Sequence, residues 1–181
     1  MNAIEILEYE HQLILDVLRM AQAQARLLAI SDNMPVSKEP GMADFCAKFI
    51  SRCHHAKEFE LFVTLLQKGR SYVIGPITSF RAEHSHLCQL TASLAVVWKL
   101  RDEGQAGAAQ VVAEYLTDYA GLMHDHIQKE NRFYQVVSEI LDDTDHLAIK
   151  AAFDRLDGET LGTDGHDRYC RWAHEFSAAR H

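Results

Sequence analysis

The chain has 181 residues, 48% hydrophobic and 24% charged, the composition of an ordinary soluble domain large enough to bury its own core. A net charge of −8 argues against nucleic acid or an anionic membrane as a main partner, and there is no run of about 18 apolar residues to span a bilayer. The N-terminal MNAIEILEYEHQ lacks the basic and then apolar pattern of a secretory signal, so a cytoplasmic protein is expected.

Prolines number three and glycines nine, which favours long helices. From Ile4 to about Ile30, apolar side chains recur with a helical period through Ile4, Leu7, His11, Ile14, Leu15 and Leu18. SDNMPVSKEP over 31–40 breaks that pattern. A second helix is expected from about Gly41 to Gln67, with Ile50, Leu61, Phe62 and Leu65 on one stripe. Gly69 suits its C-terminal cap, and Pro76 suits the first turn of a third helix. That helix carries Ile77, Phe80, His84, Leu87, Cys88, Thr91 and Leu94 on one face and ends near Gly104. The fourth runs from about Ala108 to Leu141, aligning Leu116, Tyr119, Met123, His126, Phe133 and Val137. DDTD over 142–145 offers helix-start chemistry for a shorter helix over 146–157. A last amphipathic segment, HDRYCRWAHEFSAA, follows the loop GETLGTDG. Strand signals are absent. The expectation is an all-α fold: an up-down-up-down four-helix bundle with one or two additional C-terminal helices. It forms one domain over 1–181, with its core in 3–142 and an extension over 143–181. The cysteines Cys46, Cys53, Cys88 and Cys170 have irregular spacing and no CxxC pair, and read as reduced thiols, mostly small core residues.

Histidine is abundant, with eleven in the chain. His54 and Glu58 lie one helical turn apart, as do His126 and Glu130. Their segments, HHAKEFELF and HIQKENRFY, share His-x-x-Lys-Glu and place an aromatic residue (Phe62, Tyr134) four positions past the glutamate. A lone histidine precedes each pair, His11 in YEH and His84 in AEH. The chain therefore reads as two similar helix pairs, each contributing His and then His-x-x-x-Glu. Packed together, the pairs would bring four imidazoles and two carboxylates into the bundle interior, the recipe for a carboxylate-bridged di-metal site. A mixed nitrogen and oxygen donor set with open positions suits iron, and after it manganese, better than structural zinc. The alternative for each His-x-x-x-Glu is a solvated surface pair, worth only a few tenths of a kcal/mol; against it, both pairs lie in register with an apolar stripe. His55 is rotated about 100° from His54 and is a reserve candidate, because it also precedes Glu58 by three residues. His86, on a face with Glu83, Gln89 and Ser93, is expected to be exposed, and His124 also points away from the site. His146, His166, His174 and His181 are expected at the surface. Tyr119, Tyr134 and Glu8 are candidates to line the site or orient its ligands.

The order His…His-x-x-x-Glu…His…His-x-x-x-Glu, with RCHHAKEFELF, GPITSFRAEH and HIQKENRFY, resembles the hemerythrin-like (HHE cation-binding) domains over about residues 3–142. The resemblance implies an up-down-up-down bundle holding two non-haem iron ions, with His11, His54, Glu58, His84, His126 and Glu130 as ligands and both glutamates as bridges. It implies binding of, or reaction with, a small ligand such as O2, peroxide or NO. The alternatives are a peroxidase- or catalase-like or NO-reducing enzyme, iron storage, or iron–sulfur repair. Two features depart from the oxygen-carrying members, which are similar: the last carboxylate here, Glu130, is a Glu at i+4 rather than an Asp at i+5, and those members supply a fifth histidine one turn after the third-helix ligand. Cys88 stands there instead, expected as a small buried thiol lining the site.

Overall fold

A computed structural model describes residues 1–28 and 41–178, and the described residues are almost entirely helical, without strands. Helix α1 spans Ala3–Leu28. Helix α2 covers 42–67 in three consecutive stretches, Met42–Asp44, Phe45–His54 and His55–Gln67. After a single 3₁₀ turn, Ser71–Val73, come α3, Ile74–Asp102, and α4, Ala108–Val137. Helices α5, Asp143–Leu161, and α6, Gly165–Ala178, complete the chain. The expected break over 31–40, the end of the first helix beyond Leu28, and His181 lie outside the described residues.

The helix ends follow from local chemistry. Gly69 has φ +71°, the left-handed conformation of a residue just past a helix, and its N–H donates to the Leu66 carbonyl. Asp142 caps α5: its side chain accepts from the Thr144 and Asp145 amides, while Asp145 accepts from the Asp142 amide. This helix is longer than the 146–157 expected. Gly158 costs too little to stop it, and it ends only at Gly162, whose φ is +78°.

The middle of α2 departs from ordinary helical geometry. Phe45–His54 is π-helical, and the His55 N–H reaches back five residues to the Ile50 carbonyl. Five of the six residues over 53–58 are buried, namely Cys53, His54, His55, Lys57 and Glu58. A helix with one wet face cannot bury so many neighbours. Here α5 covers the side that a four-helix bundle would leave to solvent, packing against both the π-helical and the α-helical stretches.

Two apolar clusters form the core. One gathers Leu13, Ile14, Val17, Phe45, Phe49, Leu87, Leu94, Leu116 and Met123, with Tyr169 and Ala173 of α6. The other gathers Leu7, Leu61, Phe62, Leu65, Ile77, Phe80, Phe133, Tyr134 and Val137, with Ile149 and Phe153 of α5. In sequence, His11 falls between Leu7 and Leu13, and His84 between Phe80 and Leu87. His54 and Glu58 fall between Cys53 and Leu61, and His126 and Glu130 between Met123 and Phe133. A polar layer thus sits between two dry ones. Burying such groups is costly, and burial of apolar surface on either side offsets that cost. No described helix is long and apolar enough to cross a membrane.

Candidate metal centre

All six residues expected as ligands meet in this layer, and all but His84 are fully buried. Their Nε2 atoms converge on the two carboxylates. His11 Nε2 lies 3.1 Å from Glu58 Oε1 and 3.4 Å from Glu130 Oε2. His84 Nε2 lies 3.1 Å from Glu58 Oε2 and 3.3 Å from Glu130 Oε1. His54 Nε2 is 3.3 Å from Glu58, and His126 Nε2 is 3.1 Å from Glu130, each across one turn of its own helix. One helix from each pair thus supplies a lone histidine and the other a His-x-x-x-Glu.

Outside this ring, the Nδ1 atoms donate to a second set of groups. His54 Nδ1 donates to Glu10 Oε2 at 2.8 Å, and Lys57 Nζ donates to the other oxygen of Glu10 at 2.6 Å. His126 Nδ1 donates to Glu83 Oε2 at 2.7 Å, and Lys129 Nζ donates to the other oxygen of Glu83 at 2.5 Å. The repeat therefore runs deeper than histidine and glutamate: Glu-His on one helix matches His-x-x-Lys-Glu on the next, twice. The glutamate just before each lone histidine orients the histidine of the neighbouring helix, fixing the tautomer that leaves Nε2 facing the centre. Glu10, rather than the expected Glu8, fills this role; Glu8 is only half-buried. Glu83 is likewise half-buried and engaged rather than exposed. The signal for both was legible, since EH occurs at 10–11 and again at 83–84. His11 differs in donating its Nδ1 to Asn131 Oδ1 at 2.6 Å.

His55, the reserve candidate, lies inside the cluster. Its ring stacks on His84 at 4.0 Å between centroids and meets His126 edge-on at 6.1 Å. Donor atoms of His55, Glu58, His84 and His126 lie within 4.8 Å of one another, and so do those of His11, His54 and Glu58. Glu58 belongs to both groups. The position that matches His55 in the second half of the repeat holds Ile127, also buried. Sequence periodicity turned His55 away because it assumes one buried face, and α2 is buried nearly all round here.

Two further expectations are corrected. Cys88 is exposed, so it does not line the centre; His55, from another helix, occupies the space near His84. His166 is not a surface residue: it is part-buried and donates from Nε2 to Glu10 Oε1 at 2.8 Å. His86 and His124 are exposed as expected. Of the two tyrosines, Tyr134 reaches the site, donating its hydroxyl to Glu58 Oε1 at 2.8 Å and stacking on His11. Tyr119 is buried in the apolar cluster beyond the polar layer.

In the metal-free fold the buried imidazoles and carboxylates hold one another in their charged forms. Burial alone would push the Glu58 and Glu130 carboxyls up, but the imidazoles around them hold Glu58 well below the usual carboxylate range and Glu130 below it. Burial opposes charge on His11 and His84, yet the Glu130 and Glu58 carboxylates beside them raise both to about 10. His55 has no such partner: burial, reinforced by the charge of His84, holds it well below its ordinary value and keeps it neutral. Both ring nitrogens of His55, His54 Nε2, Glu58 Oε2 and both oxygens of Glu130 are buried without an aligned hydrogen-bond partner among the described residues. Buried groups left this way in a native fold call for something else to satisfy them. Imidazole nitrogens and carboxylate oxygens, aimed at one another around a shared glutamate, fit a divalent cation.

This is a helical domain with a buried His/Glu cluster built to hold metal. A family model for the hemerythrin HHE cation-binding domain matches residues 2–137, which takes in every residue of the cluster, and the chain belongs to that family. Comparison with curated proteins and with solved structures gave no significant match.

Proposed function

We propose that this protein is a non-haem di-iron protein that binds or transforms a small ligand such as O2, peroxide or NO. The observation that carries the reading is that Glu58 lies in two donor groups at once. One ion would be held by His11 and His54, the other by His55, His84 and His126, with Glu58 common to both groups and Glu130 beside His11, His84 and His126. The first position would then draw on two nitrogens and the second on three, each supplemented by carboxylate oxygen. Neither set fills an octahedron, so solvent or a small ligand completes it. A pair of iron ions would supply redox chemistry toward oxygen species, and the chain supplies a buried set of donors and the Tyr134 hydroxyl, which donates to Glu58. Manganese is the second choice of metal. The alternation of apolar clusters supports an up-down-up-down course: α1 and α3 run from the Phe62 cluster toward the Met123 cluster, α2 and α4 the reverse. A reducing, cytoplasmic setting accords with the four free cysteines.

Anaerobic loading with ferrous iron, followed by metal analysis and ultraviolet–visible spectra after O2, H2O2 and NO are added separately, tests this. Two irons per chain and a new charge-transfer band are expected; less than one iron per chain and no band would refute the reading. A stable adduct without turnover marks a binding protein, and sustained peroxide or NO consumption marks an enzyme.

A further inference from the structure

The two halves of the repeat are alike in their ligands and unlike in their surroundings. On the α1–α2 side, the Glu10–Lys57 pair is sealed. Both side chains are 1% exposed, and the C-terminal helices supply further partners. Asp157 of α5 accepts from Lys57 Nζ at 2.8 Å and from the Cys53 thiol at 3.0 Å. His166 of α6 donates to Glu10 at 2.8 Å. Glu10 therefore receives three donors, from His54, Lys57 and His166, and no part of it faces water.

On the α3–α4 side, no described residue covers the matching Glu83–Lys129 pair in this way, and its side chains are 28% and 47% exposed. A groove of about 400 Å³ opens there, lined by Ala82, Glu83, Leu122, Asp125, His126 and Lys129 among others. His126 contributes to the groove's lining. On this side His84 keeps 12% of its side chain exposed and His126 2%, whereas His11 and His54 keep 1% or none.

We propose that divalent cations reach and leave the centre through the groove at Glu83 and Lys129, while Asp157 and His166 hold the opposite side shut. The Asp125 carboxylate stands at the mouth, and Glu83, shared between Lys129 and His126, orients a histidine of the centre from the same wall. The ion held by His55, His84 and His126 is then the exchangeable one, and the ion held by His11 and His54 the retained one. This rests on the di-metal reading above and adds that the two positions differ in lability. The C-terminal helices, outside the residues that match the family, become part of the metal site through its orienting groups.

The test is metal release. The full chain is loaded with Co(II), which reports its surroundings by its visible spectrum, and challenged with excess chelator. Release in two phases is expected. His166→Ala and, separately, Asp157→Asn are expected to speed the slow phase by up to about 10-fold, below the ~10- to 100-fold in affinity that a direct partner of a ligand is worth, and to leave the fast phase in place. Leu122→Trp, with Ala82→Trp as a second variant, is expected to slow the fast phase and the loading rate together, with circular dichroism showing the fold retained. Two ions leaving in one phase, or groove variants that leave the fast phase unchanged, would overturn the proposal alone. Less than one ion bound per wild-type chain would overturn both it and the di-metal reading.

Discussion

His54 and His55 are adjacent in sequence, yet both lie in the centre. The first was legible because HHAKEFELF is echoed by HIQKENRFY; the second was not, because Ile127 occupies its place in the echo. If His55 is a ligand, His55→Ala should lower bound metal from two ions per chain toward one, measured by elemental analysis. His86→Ala should leave it at two, since that ring is exposed. Equal losses would place His55 outside the donor set. Tyr134 makes a second case. Its hydroxyl donates to a buried carboxylate, and burial together with Glu58 holds its own pKa well above the ordinary range. Hydrogen bonds to charged groups contribute about 1.5–3 kcal/mol, so Tyr134→Phe should destabilise the metal-free protein by about that amount in urea unfolding. Helical spacing nominated Tyr134 and Tyr119 equally. What separates them is which apolar cluster each joins, a fact of packing that a single helix cannot disclose.

Helices were readable wherever the chain carries its own instructions. DDTD announced a helix start, and Asp142 caps one; Asp142→Ala should cost about 0.5–2 kcal/mol of stability in denaturant titration, with the centre untouched. Gly69 and Pro76 marked the turn between α2 and α3 as expected. The π-helical stretch of α2 left no such sign. Nothing in FCAKFISRCH departs from a pattern that an ordinary helix would satisfy, and the wider winding arises where that segment is gripped by α3, α5 and α6 together. It ends at His54, the first residue that α2 contributes to the buried His/Glu cluster. Burial of consecutive residues was lost for the same reason: periodicity reports one-sided helices, and α2 is covered on several sides.

The whole chain joins the family-matched bundle to a C-terminal pair that sequence reading treated as an appendage. His166 shows that they act together. Burial opposes its charge, but the Cys170 sulfur and Glu10 raise its pKa from 6.5 to about 10. A group raised on folding adds stability that is complete below its unfolded value and fades as pH climbs through the folded one. The metal-free wild type should therefore exceed His166→Ala in melting temperature most at about pH 6 and lose that margin toward about pH 10. A margin that widened with pH would mean that His166 is neutral in the fold. The contrast between His55 and Ile127 has a further outcome at this scale. On the di-metal reading, three imidazoles on one side and two on the other would give the two positions different tastes, since nitrogen-rich sites favour the later first-row ions more strongly than oxygen-rich ones. Offered cobalt and manganese together, the protein should sort them, cobalt to the His55 side, as element-specific anomalous scattering would register. Ile127→His should blur that preference, turning a lopsided pair of seats into an even one.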